Sequence, residues 1–285
     1  MAILIPRKKE FWQRKPSVGQ EVDWGNNLSE GLLIYQPLEL SSTNEVRNLA
    51  GEHGGYIDPD VNITEEGLSY SGAYTSNDIA YATQTPPTGG SFTLITRALT
   101  TYVPSGDIYP NIVSTRDAGN NRFALFLDGN EADAAKTVMA LQNNVGTAIK
   151  AKLPKPPTDE FVVYGATYDD LGDRQARLQI STENAVAVSA ALTGTLEPYN
   201  NEGIYLGNRR AGGRQWDGVI SDFYFFNVAK SNEEVRSLVD APYQILKPRK
   251  KYWVLPTAAA TTTLNNDLIS AMHFQRHYEP IAMGE

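Results

Sequence analysis

Hydrophobic residues along this chain recur in short runs of strand length, separated by turn formers, with no sustained helical spacing. The runs are GLLIYQPL (31–38), GLSYSG (67–72), SFTLITRAL (91–99), YPNIVSTR (109–116), NRFALFLDGN (121–130), EFVVYGATY (160–168), RQARLQIST (174–182), GIYLGNRR (203–210) and WDGVISDFYFF (216–226). Between them fall PPTGG (86–90), DAGNN (117–121), DGN (128–130) and DDLGD (169–173). Gly and Asn supply positive φ in such turns, and Asp or Asn bonds back to the local backbone. Many short strands at close spacing predict an antiparallel sandwich or barrel, and no βαβ rhythm competes with that reading.

The period changes once, within RQWDGVISDFYFFNVAKSNEEVRSL (214–238). Strict alternation would put Val219, Phe223 and Phe225 on one side of an extended run, and Ile220, Asp222, Tyr224 and Phe226 on the other. Apolar residues on both sides predict a strand covered on each face. Ser231 then stands three before Glu234, the spacing of a capping box. Val235, Leu238 and Val239 follow at helical spacing, and Pro242 marks the helix end.

The order EEGLSYSGAY, SFTLITRA, NIVSTRDAGNNRFALFLDG, FVVYGATYDD, RLQIS, IYLGNRRAGGRQWDGVISDFYFFNVAKSNEEVRSL resembles the laminin-G-like, concanavalin A-like jelly rolls. In that family a strand similar to xGxIxDxxIYNxALSxEEI closes the domain and a small helix follows it. Here the closing pattern is Phe-Asn-Val-Ala-Lys-Ser-Asn-Glu-Glu-Val at 226–235. The resemblance implies an all-β fold: a two-sheet antiparallel jelly-roll sandwich with one short C-terminal helix and extended terminal arms. It divides the chain into a basic and aromatic arm at 1–27, a laminin-G-like sandwich at 28–241 and a second arm at 242–285. The flanks QEVDWGNNLSEGLLIYQPL (20–38) and APYQILKPRKKYWVLP (241–256) are similar to terminal segments of laminin-G-like structural proteins of tailed bacteriophages.

Charge sharpens this picture. The net charge is −8, yet Arg7, Lys8, Lys9, Arg14 and Lys15 outweigh Glu10 in residues 1–16, and Lys247, Arg249, Lys250 and Lys251 follow the sandwich, leaving −14 on residues 17–246. An acidic body with two short basic flanks does not suit nucleic acid, which the body would repel. Cysteine is absent, so disulfides and thiolate metal sites are excluded. No apolar run approaches the roughly 20 residues of a membrane span, so no membrane association is expected. The start, MAILIPRKKEFW, reverses the order of a secretory signal, and the expected route is synthesis in a host cytoplasm without a signal peptide.

Candidate chemistry was sought in carboxylates, metal ligands and sugar contacts. The superfamily includes glycoside hydrolases, but no strand-borne Glu-x-Asp-x-x-Glu occurs; Glu131-Ala132-Asp133 has only the first spacing. Laminin-G-like domains often hold calcium at the rim, and the resemblance offers Asp58 with Asp60, Asp217 with Asp222, and most densely Asp169, Asp170 and Asp173; the last set also has the composition of an ordinary turn. Of the three histidines, His273 and His277 suit packing or an interface better than zinc, His53 lies in a Gly-rich loop with nothing to orient it, and no cofactor is otherwise expected. GNRRAGGRQW (207–216) reads as a hairpin turn, whose functional version is a glycan contact through Arg209, Arg210 and Arg214 near Trp216.

The arms carry aromatic anchors among charges. Arg7, Lys8, Lys9, Phe11, Trp12 and Trp24 at one end, and Lys247, Arg249, Lys250, Lys251, Tyr252 and Trp253 at the other, suit docking on a partner. The expectation is a non-enzymatic virion structural protein, a capsid-decorating or cement protein whose partners are other virion subunits and its own copies in a homo-oligomer. The alternative is a carbohydrate-binding, lectin-like tail or receptor-recognition protein. A polysaccharide hydrolase is the third reading, and lacks a paired-acid motif.

Overall fold

A computed structural model describes residues 20–38, 45–51, 55–57, 61–71, 80–83, 90–102, 104–115, 122–130, 135–197, 203–209 and 213–247. They form two antiparallel sheets of eight strands each. The first runs β14 (Ala187–Ala191), β13 (Gln175–Ile180), β12 (Phe161–Tyr168), β7 (Phe92–Thr100), β16 (Asp217–Phe226), β5 (Leu68–Ser71) and β4 (Asn62–Ile63), with β1 (Leu32–Pro37) also paired to β16. The second runs β11 (Ala148–Pro154), β10 (Lys136–Gln142), β9 (Phe123–Asp128), β8 (Asn111–Ser114), β15 (Ile204–Leu206), β6 (Ala80–Thr83), β3 (Gly55–Ile57) and β2 (Glu45–Val46). The two-sheet antiparallel sandwich is the expected fold, and all nine runs read from the sequence contain a strand.

The inward faces meet in one core. Phe92 and Phe225 of the first sheet pack on Phe123 of the second, with ring centres 4.7 Å and 6.1 Å from it. Burying each such ring contributes on the order of 1.5–3 kcal/mol. Trp216 lies wholly inside the same core, and its indole N–H donates to the Leu99 carbonyl at 2.9 Å, so burial leaves no polar group unpaired on that ring.

Strict alternation fails at one place in β16. The pairing with β7 slips between Ile220 and Asp222, leaving Ser221 as a bulge. One inserted residue reverses the facing of what precedes it. Ile220, and not Val219, therefore joins Phe223 and Phe225 in the inter-sheet core, while Tyr224 and Phe226 face the other way. That second face is covered by the helix α1 (Asn232–Asp240). Its capping box forms as the sequence predicts: Ser231 Oγ accepts from Glu234 N, and Glu234 Oε2 from Ser231 N. Val235, Leu238 and Val239 are buried on the sheet.

Gly165 of β12 makes this close packing feasible. A Cβ there would sit 2.6 Å from Val239 Cγ2 and 2.7 Å from Val235 Cγ1.

The folded body exceeds the expected boundaries of 28 and 241. Val22, Tyr243, Ile245 and Leu246 share the core under α1, which ends at Asp240 ahead of Pro242 as expected, and Pro242 begins a 3-10 turn (Pro242–Ile245). Val22 bridges to Leu246, Asp23 N donates to the Ile245 carbonyl at 2.7 Å, and Lys247 N to that of Glu21 at 2.9 Å. Tyr35 stacks on Tyr224 at 4.4 Å. Tyr243 OH donates to Oδ2 of the enclosed Asp222 at 2.7 Å, and Ser221 Oγ to the same oxygen at 2.8 Å. Burial pushes the Tyr164, Tyr224 and Tyr243 phenols well above their ordinary range. Among the described residues no helix is long and apolar enough to cross a membrane.

Two outcomes are expected. Gly165→Ala should destabilise the protein by about 1–3 kcal/mol, because its methyl must push α1 off the sheet; an unchanged denaturant midpoint would refute that packing. Stability should also fall as pH rises above about 10, since unfolded tyrosines ionise there while Tyr164, Tyr224 and Tyr243 stay neutral in the fold. Tyr243→Phe should flatten this alkaline decline in denaturation curves taken at successive pH values, and an identical slope would show that Tyr243 takes no part in it.

Candidate functional site

The outer face of the first sheet is occupied by α1 and the two ends of the body. The outer face of the second is built differently. Along β9, Phe123, Leu125 and Leu127 point into the core, so Ala124, Phe126 and Asp128 point outward. On β10 the outward residues include Val138 and Ala140. On β11 burial alternates strictly, with Ile149, Ala151 and Leu153 inside and Ala148, Lys150, Lys152 and Pro154 outside. Pairing lines up Lys150, Ala140 and Ala124 in one row, and Lys152, Val138 and Phe126 in the next.

Where the row is floored by alanine, a trough of about 240 Å³ opens, lined by Tyr109, Ala124, Phe126, Ala140, Ala148, Lys150 and Arg214. Tyr109 meets Phe126 edge to face, ring centres 6.1 Å apart. The Arg214 guanidinium lies over the Tyr109 ring at 4.9 Å, and the Lys150 ammonium stands 5.9 Å from the Phe126 ring centre. Both cations are thus positioned by aromatic faces. The Arg214 backbone is fixed beside β8, since Asn111 N donates to its carbonyl at 2.9 Å. Asp128, almost fully enclosed, faces Lys150 Nζ from behind at 3.5 Å.

A polar rim adjoins the trough. Asp107 Oδ1 accepts from Asn130 Nδ2 at 2.7 Å and from the Tyr109 hydroxyl at 3.2 Å. Gly129 brings these groups together: a Cβ there would lie 2.9 Å from backbone atoms of Pro104 and Ser105, so only glycine lets the 128–130 turn close on that loop. The ensemble offers an apolar floor, an aromatic edge, two cationic heads, a carboxylate, an amide and a phenol. Such a mixture suits a polyhydroxylated ring. The volume is below the roughly 300–1,000 Å³ of drug-sized pockets, so one sugar unit is the scale that fits.

Of the residues expected to touch glycan, only Arg214 lines this trough. Trp216 is corrected outright, because it is fully buried and cannot offer a ring to a ligand. Arg209 is half-buried, with its backbone N–H on Asn208 Oδ1, and Arg210 lies outside the described residues. Tyr109, Phe126, Lys150, Asp107 and Asn130 were not singled out from the sequence. The available signal was the alternation of FALFLD and AIKAKLP, whose outward positions hold small or charged residues.

The expected calcium triad is also corrected. Asp169 Oδ1 accepts from Ser91 Oγ, Leu171 N and Gly172 N. Asp170 accepts from the Tyr168 hydroxyl at 2.9 Å and faces Arg174 Nε at 3.6 Å. Asp173 engages Arg177, whose hydrogen bond holds its carboxyl below the usual range. Asp169 caps the turn while Asp170 and Asp173 each face a different arginine, so the three carboxylates do not form one ligand set. Asp217 bonds Thr101 Oγ1 while Asp222 is enclosed, so that pair is not a site either. Among the described residues no group of three or more His, Asp or Glu could hold a metal ion. Asp58, Asp60, Glu131, Asp133 and all three histidines lie outside the described residues.

So do Arg7, Lys8, Lys9, Phe11, Trp12, Arg249, Lys250, Lys251, Tyr252 and Trp253. Of the expected docking residues, Trp24 is 57% exposed, and Lys247 pairs with Glu21 at 3.0 Å on its own body.

Comparison with curated proteins found no match. Among solved structures, an HCR/D mutant aligns with a TM-score of 0.57 at 13% identity, over 76% of this chain and 52% of that one. A Trypanosoma rangeli sialidase mutant displaying trans-sialidase activity aligns at 0.53 and 13%, over 75% and 33%. The T. rangeli sialidase in complex with 2,3-difluorosialic acid aligns at 0.52 and 12%, over 75% and 34%. The chain therefore spans about a third of the sialidase and about half of HCR/D, and identities this low establish a shared fold alone. The family match says more: residues 71–236, more than half of the chain, fit the laminin-G-like model described as concanavalin A-like lectin/glucanases. With that match on a two-sheet antiparallel sandwich closed by a capped helix, the protein belongs to the concanavalin A-like lectin/glucanase superfamily.

Proposed function

We propose that this protein is a non-catalytic, lectin-like carbohydrate-binding module that receives one sugar unit in the trough on its second sheet. The observation that carries the reading is the alanine floor of Ala124, Ala140 and Ala148 between the Tyr109–Arg214 pair and Lys150. Outward positions of a strand normally carry long polar side chains. Three alanines in their place clear room for a ring to rest on the sheet, while the surrounding donors and acceptors meet its hydroxyls.

A binding role is favoured over hydrolysis. Two-carboxylate glycoside cleavage sets its acids about 5–9.5 Å apart on either side of the sugar. Among the described residues the trough's lining includes no acid, and Asp128 is enclosed behind Lys150. The resemblance of the flanking segments suggests a virion setting, in which such a body serves as a tail or receptor-recognition protein facing host glycan. A capsid-decorating role would rest instead on the terminal segments.

The full chain should bind at least one sugar class on a broad glycan array. Ala140→Leu, which puts a larger side chain into the trough floor, and Tyr109→Ala, which removes its aromatic wall, should each weaken that binding more than tenfold, or about 1.4 kcal/mol, with the fold retained by circular dichroism. Binding should persist in chelator, because the contacts are side chains of the sheet. Silence across the array, or binding indifferent to both substitutions, would sink the proposal.

A further inference from the structure

We propose that the sugar accepted by the trough is anionic, bearing a carboxylate or a sulfate. This rests on the carbohydrate-binding reading and specifies its ligand. The chain as a whole is acidic, at −8, but the outward strand positions described on this face carry several cations. Pairing and alternation put Lys150 and Lys152 of β11 on the outer side, and Lys136 of β10 pairs with the outward Asp128 on that same side. Arg214 joins them from the loop before β16. Among the described residues, Asp128 behind Lys150 and Asp107 on the rim stand with these four cations.

The cations are also arranged in a useful way. Lys150 and Lys152 are two residues apart on one strand, which spaces their roots about 6.6 Å along the sheet. Arg214 stands across the alanine floor from Lys150. A guanidinium offers a planar fork that matches a carboxylate or sulfate edge, and an ammonium adds a point charge. An acidic sugar on the floor would meet Arg214 on one side and Lys150 on the other. A neutral sugar would receive only ordinary hydrogen bonds from the pair, without the charge assistance an anion gains. Lys152 and Lys136 extend the same charge along β11 and β10, the direction an acidic oligosaccharide would follow beyond its seated unit.

The test uses matched pairs that share a skeleton and differ in charge, titrated calorimetrically into the full chain. Oligogalacturonate against its methyl ester reads the carboxylate, and sulfated against unsulfated dextran oligosaccharide reads the sulfate. In at least one pair the charged member should bind about tenfold or more tighter than its neutral partner. Lys150→Gln and Arg214→Gln should each remove most of that difference and flatten its salt dependence, whereas Lys247→Gln, on the opposite side of the sandwich, should change neither. Which pair responds identifies the anion. Equal binding of charged and neutral members, lost in Ala140→Leu, overturns the anionic inference and leaves the carbohydrate reading standing. No binding by any of the four probes, together with a silent glycan array, overturns both. Tighter binding of a single-stranded oligonucleotide than of any sugar, abolished by the same two substitutions, overturns the inference in favour of a nucleic-acid site.

Discussion

A strand that is apolar on both sides cannot lie at a surface, and β16 imposes that demand on the whole molecule. Ile220, Phe223 and Phe225 need a second sheet on one side, while Tyr224 and Phe226 need a cover on the other. The first need produces the sandwich. The second recruits α1, the 3-10 turn after it and the segment around Val22. The bulge at Ser221 reconciles the two, turning Ile220 inward and setting Asp222 among hydroxyls that can satisfy a buried carboxylate oxygen.

This division of labour explains why the proposed binding surface lies on the second sheet. The first sheet spends its outer face on the second core, where Gly165 lets α1 approach until side chains touch backbone. The second sheet carries no helix among the described residues, and on its outer side Lys150 and Lys152 of β11 stand exposed beside the buried Ala124, Phe126, Val138 and Ala140. There, small and cationic side chains stand on strands whose inner faces are locked by the core. A ligand that binds such a face meets groups held in place before it arrives, and little ordering cost falls on the protein. Gly129 extends that rigidity to the rim by allowing the turn bearing Asn130 to close on Asp107.

Much of the fold was legible in the sequence, and the trough was not. Turn residues and strand-length runs marked nine strands, and Ser231 with Glu234 marked the helix start, because these are local signals. β10 escaped notice because Thr137, Val138, Met139, Ala140 and Leu141 are all buried, which erases alternation. β11 alternates, but alanine occurs on both of its faces and blurs the pattern. Those two strands carry Ala140, Ala148 and Lys150, so missing them hid half of the trough. Trp216 shows the opposite error. A tryptophan beside arginines reads as a ligand platform, and only long-range packing reveals it as the centre of the core. The Asp169 to Asp173 cluster misled in the same way, since composition does not report that each carboxylate already has a different partner.

The bridge between Val22 and Leu246 has a consequence for how the molecule bears load. The first and last described segments lie side by side on the flank carrying α1, held by the Val22–Leu246 bridge and the backbone bonds on either side of it. A force applied at Glu21 and Lys247 would therefore load this seam first, in zipper fashion, and reach the strands beneath Tyr109 and Lys150 only after it had parted.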